Sequence, residues 1–239
     1  MSNSPSLDTF RLLHVGDTAL TVEFGNSIDP IVNERAIAFA ERIRRANWKG
    51  VLDIVPTYRS VTIHVDSMLL NIMTLSKKLK RLAARTQHPS RVSRRRHCIP
   101  VLYGEPWGPD LAHVASSAKL SVAEAIQLHS LVTYRVYMLG FTPGFPYMGI
   151  VPGPLALPRL ATPRLSVPAG SVAIADNQTG IYPATSPGGW RLIGRTPVAL
   201  YCPDHRDPFL FSPGDSVKFE PITEEQFEDI LSQRHDDAN

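Results

Sequence analysis

The residue types able to do chemistry in this chain gather in a few short stretches of its second half. Gly140-Phe-Thr-Pro-Gly-Phe-Pro-Tyr-Met-Gly149 combines three glycines, which open backbone angles closed to other residues, with Pro143 and Pro146, which fix φ and remove donors. Phe141, Phe145 and Tyr147 stand between them. Such a loop is stiff and aromatic: either a plug for the end of a barrel or one wall of a ligand site. Pro158-Arg159 and Pro163-Arg164 each place a guanidinium behind a proline. That arrangement suits bidentate binding of phosphate or carboxylate, and equally a pair of surface arginines in an irregular connection. In Ser186-Pro-Gly-Gly-Trp190, paired glycines expose N–H groups to an anion while tryptophan offers a face for stacking; the alternative is a tight hairpin ending on a core tryptophan. His129 falls in the last turn of a predicted helix, where the dipole favours its charged form.

Several chemistries are excluded. The phosphate-binding Walker A pattern, G-x-G-x-x-G, H-E-x-x-H and G-x-S-x-G are all missing. Cys98 and Cys202, the two cysteines, have no paired spacing, and no cysteines or histidines stand at metal-ligand spacing, so neither a disulfide framework nor a tightly bound metal is expected. No nucleophile–base pair is self-sufficient; catalysis here implies a site shared with another chain. The net charge of +3 is mild and concentrated in Arg91, Arg94, Arg95 and Arg96 without interleaved aromatics, which reads as a solvated linker rather than a nucleic-acid face. No apolar run is long enough for a bilayer, and residues 1–8 lack the features of a signal peptide. A cytoplasmic setting, with neither nucleic acid nor membrane as partner, is the expectation.

The elements that must position these groups divide in two. Of the 21 prolines, 17 lie at Pro100 or later, which marks two differently built halves. The predicted division is an α+β domain over 1–90, an arginine-rich linker over 91–98 and a β-barrel domain over 99–239. In the first half, a hairpin turns at Gly16-Asp17, and Asp29-Pro30 opens a helix running to about Ala46 with Val32, Ala36, Phe39, Ala40 and Ile43 inward. Strands follow at 51–55 and 60–65, and Asp66 caps a second helix ending near Arg85. The order β-β-α-β-β-α predicts an antiparallel sheet with helices on one face. In the second half, Ile99–Tyr103 begins a strand, Pro109-Asp110 opens a short helix, and Ser121 with Glu124 forms a capping box. Strands are predicted at 133–139, 171–175, 180–183, 190–194, 197–201 and 216–219, with Thr223 and Gln226 capping a last helix. Short strands with proline and glycine corners point to a small barrel.

Together these segments resemble a known family. Gly16-Asp17-Thr18-Ala19-Leu20, Val55-Pro56-Thr57-Tyr58-Arg59-Ser60, Gly108-Pro109-Asp110-Leu111, Leu128-His129-Ser130 and Gly140–Gly149 all match it. So do Pro158-Arg159, Pro163-Arg164, the run from Val167 to Val172, the run from Gln178 to Pro183, Ser186–Trp190 and the run from Ile193 to Pro197. The chain is similar to the B-type subunit of the bacterial ATP-dependent 5-oxoprolinase, also labelled allophanate hydrolase subunit 1, a family that includes the sporulation-kinase inhibitor of bacilli. The match covers nearly everything outside the termini and the arginine linker; the linker and Glu105-Pro106-Trp107 depart from it locally.

The resemblance implies a cyclophilin-like β-barrel for the second half and a small α+β domain for the first. It implies work beside a larger homologous subunit (the C-type subunit, or allophanate hydrolase subunit 2) and a third 5-oxoprolinase protein, opening 5-oxoproline to glutamate with ATP hydrolysis. ATP would be bound with the partner subunit, and the chain alone would be inactive. Related paired domains form the carboxyltransferase part of urea carboxylase. Carried onto this sequence, the shared segments nominate His129, Arg159 and Arg164 for catalysis. For substrate binding they nominate Phe141, Phe145, Tyr147, Ser171, Gln178, Tyr182, Ser186, Gly188, Gly189, Trp190 and Arg195. The expected chemistry phosphorylates an amide oxygen, with Arg159, Arg164 and the Gly188-Gly189 N–H groups facing the phosphoryl oxygens and His129 moving a proton. Competing expectations are an allophanate hydrolase or urea carboxylase type of amide-processing subunit, a regulator that captures a sensor histidine kinase, and, by fold analogy alone, a prolyl isomerase.

Overall fold

The computed structural model describes residues 10–86 and 94–237, with side chains to residue 233, in two compact units divided after residue 93. In the first unit β1 (Arg11–Val15) and β2 (Ala19–Glu23) form the expected hairpin, with Gly16 at φ 61°. Helix α1 (Pro30–Ala46) begins where Asp29-Pro30 places it: Asp29 Oδ1 accepts from the amides of Ile31 at 2.7 Å and Val32 at 3.1 Å, satisfying donors that a helix start leaves open. Strands β3 (Val51–Pro56) and β4 (Ser60–Val65) follow, then α2 (Ile72–Ala84). The cap of α2 is Asn71, not Asp66. Asn71 accepts from Met73 N at 2.9 Å, whereas Asp66 Oδ1 is spent on the preceding turn through Met68 N at 2.9 Å.

The sheet runs β1-β2-β4-β3, all antiparallel. Period-two alternation puts Leu20, Val22, Val61, Ile63 and Val65 in one core with Val32, Ala36, Phe39 and Ile43 of α1 and Leu75, Leu79 and Ala83 of α2. Arg35, fully buried, donates through Nε to the Thr86 carbonyl at 2.9 Å beyond the end of α2 and lies 4.6 Å from the Phe24 ring centroid. Arg59 stays on its own unit, 3.2 Å from Glu23 and 2.6 Å from the Asn26 carbonyl.

The second unit contains β5 (Arg96–Tyr103), α3 (Leu111–Ser117), α4 (Val122–Ser130), β6 (Thr133–Leu139), β7 (Pro146–Gly149) and β8 (Arg164–Val167). After these come β9 (Ser171–Ala175), β10 (Gln178–Ile181), β11 (Ser186–Gly188), β12 (Arg191–Arg195), β13 (Ser216–Pro221) and α5 (Glu224–Asp237). Seven strands close a barrel in the order β10-β7-β6-β13-β5-β12-β9, with β10 pairing back to β9; β8 and β11 form a separate two-stranded flap. The barrel core holds Val101, Tyr134, Val136, Val172, Ile174, Ile193, Val217 and Phe219.

Three strand expectations shift. Residues 91–93 of the expected linker lie outside the described residues, but Arg96, His97 and Cys98 already belong to β5, in parallel register with Ser216, Val217 and Lys218. His97 explains this despite the neighbouring arginines: its ring packs on Phe211 at 4.9 Å and its Nε2 lies 3.1 Å from Asp215 Oδ2. The last four residues of the aromatic stretch form β7 rather than loop. The segment 197–201 is no strand and makes a single bridge, Tyr201 with Phe209.

Candidate functional site

A hollow of about 340 Å³ lies beside the barrel, between the aromatic loop and the β8–β11 flap. Eight of the nominated residues line it: Phe141, Phe145, Tyr147, Arg159, Tyr182, Gly188, Gly189 and Trp190. Pro163 and Pro187 complete the lining; sequence reasoning treated them as backbone devices, yet their rings are apolar wall. The loop is tightly wound, with Gly140 N donating to the Phe145 carbonyl at 3.1 Å and Phe145 N to the Thr142 carbonyl at 3.1 Å. That winding sends its two phenylalanines opposite ways. Phe145 is fully buried, while Phe141, at φ 64°, is 62% exposed. A positive φ on a bulky residue costs of order 1–3 kcal/mol, tolerated where surrounding structure enforces it.

Phe145 is the hub. Phe141, Tyr147, Tyr182 and Trp190 meet it edge-on at centroid distances of 5.7, 4.9, 5.2 and 5.4 Å. Close approach depends on glycines: a Cβ at Gly180 would sit 2.8 Å from Phe145 Cζ, and one at Gly188 would run into the Tyr182 hydroxyl. Burial pushes the Tyr147 and Tyr182 phenols above their ordinary range. The Trp190 backbone N–H and the Arg159 guanidinium pull Tyr182 back, and Arg159 does the same for Tyr147. Arg159 is exposed at the hollow and has no hydrogen-bond or ion-pair partner among the described residues. The hollow therefore offers flat apolar walls, phenols and one guanidinium without a counter-charge, which suits a small planar anion.

The remaining nominated residues lie elsewhere. Arg164 donates through Nη2 to Asp110 Oδ1 at 2.8 Å and through Nη1 to the Trp190 carbonyl at 3.4 Å, so its fork is occupied by protein. Ser171 is buried in β9 opposite Arg195, and Gln178 pairs with Gly149 and Ala175 in the barrel wall. Ser186 opens β11, and its Oγ is buried without a partner among the described residues. Arg195 donates to the Ala169 carbonyl at 2.8 Å and lies over the Trp107 ring at 5.3 Å.

The structure places His129 away from the hollow. It is 1% exposed, with its ring stacked on Phe219 at 4.7 Å and outside the hollow. Thr179 Oγ1 donates to the Ala173 carbonyl at 3.0 Å, so toward His129 Nε2, also at 3.0 Å, it accepts. Nε2 then carries the proton, and Nδ1 accepts from the Tyr103 hydroxyl at 2.8 Å. Burial lowers its pKa to about 3, the reverse of what a helix C-terminus favours. A neutral imidazole with both nitrogens engaged is a core cross-link and leaves no nitrogen to shuttle a proton.

Among the described residues no three His, Cys, Asp or Glu side chains cluster to hold a metal ion, and no helix is long and apolar enough to cross a membrane.

Comparison with known proteins places this arrangement. Residues 10–211 match the model of the carboxyltransferase domain, subdomains C and D. The B-type subunit of the Bacillus subtilis 5-oxoprolinase is 38% identical over 228 residues, covering 91% of this chain and 95% of the relative. The solved structure of TTHA0988 superposes with a TM-score of 0.77 at 42% identity over 86% of this chain, which spans only 40% of that longer polypeptide. The urea carboxylase of Kluyveromyces lactis shares the fold, with a TM-score of 0.77 at 20% identity, over 24% of its own length.

Proposed function

The chain belongs to the family of B-type 5-oxoprolinase subunits, built on the carboxyltransferase C and D subdomains, and from that membership we propose that it helps open 5-oxoproline to glutamate as one subunit of an ATP-dependent complex. The observation that carries this reading is the aromatic hollow with Arg159 at its side, uncompensated among the described residues. A five-membered lactam is flat around its amide and carries one carboxylate. Its ring lies against Phe145, Tyr147 and Trp190, and its carboxylate meets Arg159, in bidentate geometry if both fork nitrogens engage. The Gly188-Gly189 backbone and the Tyr182 hydroxyl face the amide oxygen.

Amide resonance makes the lactam inert, and phosphorylating its oxygen makes the carbonyl carbon electrophilic: water adds there, the C–N bond breaks as the nitrogen takes a proton, and a second water releases phosphate from the acyl phosphate to leave glutamate. ATP, as co-substrate, supplies the phosphoryl group. One free guanidinium in about 340 Å³ is too little cationic charge and space for a triphosphate, so the nucleotide is assigned to the larger homologous subunit. That subunit closes the open side of the hollow, over exposed Phe141 and over Leu165 of β8, which is 93% exposed. Excluding water there strengthens each electrostatic contact and leaves the chain inactive alone. That more than half of the TTHA0988 polypeptide lies outside the part equivalent to this chain supports such a neighbour. The amide chemistry of urea carboxylase and allophanate hydrolase is the runner-up. It is favoured if urea or allophanate, which lack the ring, supports turnover better.

The test is co-expression with the larger subunit and the third protein, followed by ATP hydrolysis with and without 5-oxoproline. Stimulation by the lactam that Arg159→Ala strongly reduces is the expected result. ATP turnover indifferent to 5-oxoproline overturns the assignment.

A further inference from the structure

Asp110 does not line the hollow, yet three contacts tie it to the hollow's wall. It immediately precedes α3, where aspartate ordinarily accepts from the first helical amides, but here its side chain makes no capping bond. The carboxylate is diverted. Oδ2 accepts from the Leu192 amide at 2.7 Å, Oδ1 accepts from Arg164 Nη2 at 2.8 Å, and the Asp110 amide donates to the Leu192 carbonyl at 2.9 Å. The segment approaches β12 so closely that a Cβ on Gly108 would overlap the Ile193 backbone.

From Asp110 the chain of contacts runs into the site. Arg164 starts the flap strand β8 and donates to the Trp190 carbonyl at 3.4 Å, while the Trp190 amide faces the Tyr182 oxygen. The Arg164–Asp110 pair is half-shielded, with side chains 28% and 13% exposed. A charge-assisted bond in such surroundings holds geometry better than a surface pair. One carboxylate thus registers the flap, the tryptophan wall and the phenol against the barrel, and it keeps the second guanidinium out of the hollow.

We propose that Asp110 is a positioning residue for the site, holding Arg164 and the Leu192 amide together so that Trp190 and Tyr182 meet the ligand in fixed register and Arg159 alone meets its charge. The inference rests on reading the hollow as the cyclic-amide site. Loss of a hydrogen bond to a charged group corresponds to roughly a tenfold change or more.

The experiment measures KM and kcat for 5-oxoproline-dependent ATP hydrolysis in the assembled complex for wild type, Asp110→Asn, Arg164→Gln and the double variant. Intrinsic fluorescence of Trp190 is followed in a Trp48→Phe, Trp107→Phe background. Expected are about tenfold higher KM in each single variant, a diminished lactam-induced change in Trp190 emission, and a double variant no worse than either single one. Arg164→Gln leaves the Asp110–Leu192 bond intact, so it reports even if Asp110→Asn fails to fold. Folded variants with wild-type KM and emission change, or single effects that simply multiply in the double variant, overturn the positioning role. A wild-type complex that ignores 5-oxoproline overturns the site reading itself and the inference with it.

Discussion

The second unit contains two aromatic clusters of similar composition and opposite character. Around His129 lie Tyr103, Tyr134, Thr179 and Phe219; the imidazole nitrogens and both tyrosine hydroxyls are engaged within the protein, Tyr134 donating to the His129 carbonyl at 3.0 Å. Around Phe145 lie Tyr147, Tyr182 and Trp190, open to a hollow in which Arg159 has no partner among the described residues. A buried polar group with its bonds completed contributes to a unique fold, whereas an exposed charge at the edge of a cavity stays available to a group from outside. Residue type alone does not separate the two cases; burial and the presence of a counter-charge do.

Substitutions can break that contrast, and the largest effect is expected in the closed cluster. His129→Ala leaves the hydroxyls of Tyr103 and Thr179 short of a partner and opens a cavity, costing about 3–5 kcal/mol in denaturant unfolding. The complex that does form should keep its KM; a raised KM with unchanged stability would return His129 to the site. In the open cluster Arg159→Ala has the opposite signature. It should cut kcat/KM for 5-oxoproline on the order of 100-fold, with melting nearly unmoved because an exposed side chain without an ion pair contributes little to stability.

Acid titration sharpens the comparison. His129 ionises near 6.5 unfolded and about 3 folded, so the unfolded chain binds the extra proton between these values. Its contribution is complete above pH 6.5 and is progressively lost as the pH falls toward 3. His129→Gln should flatten that part of the stability curve, and an unchanged slope would show that the imidazole is not buried neutral. The smallest effect is expected at the rim. Phe141→Gly relieves a positive φ while losing one edge contact to Phe145, for a net stability change below about 1 kcal/mol. Lactam affinity in the complex should still fall several-fold; unaltered affinity would remove Phe141 from the hollow.

Local rules explain why so much of the architecture was legible. The Asp29-Pro30 start of α1 and the Ser121–Glu124 capping box of α4 are set by neighbours within a few residues, where cap chemistry acts. The glycines and prolines of the Gly140–Gly149 stretch announced its stiffness for the same reason. Local rules failed where two options lay close together, as with Asp66 and Asn71, or where a distant partner intervened, as His97 with Asp215 drew β5 back to Arg96.

By itself, then, the sequence determined most element types and the aromatic character of the Gly140–Gly149 stretch, because these follow from backbone angles, periodicity and residue type. Which polar groups were already spoken for was decided by the tertiary structure alone. His129 finds Thr179, 50 residues away, and Arg164 finds Asp110, 54 residues away, whereas Arg159, five positions from Arg164 in an identical Pro-Arg pair, meets no counter-charge among the described residues. Hydrogen bonds and ion pairs act over about 3 Å, and only the folded chain sets which groups come that close.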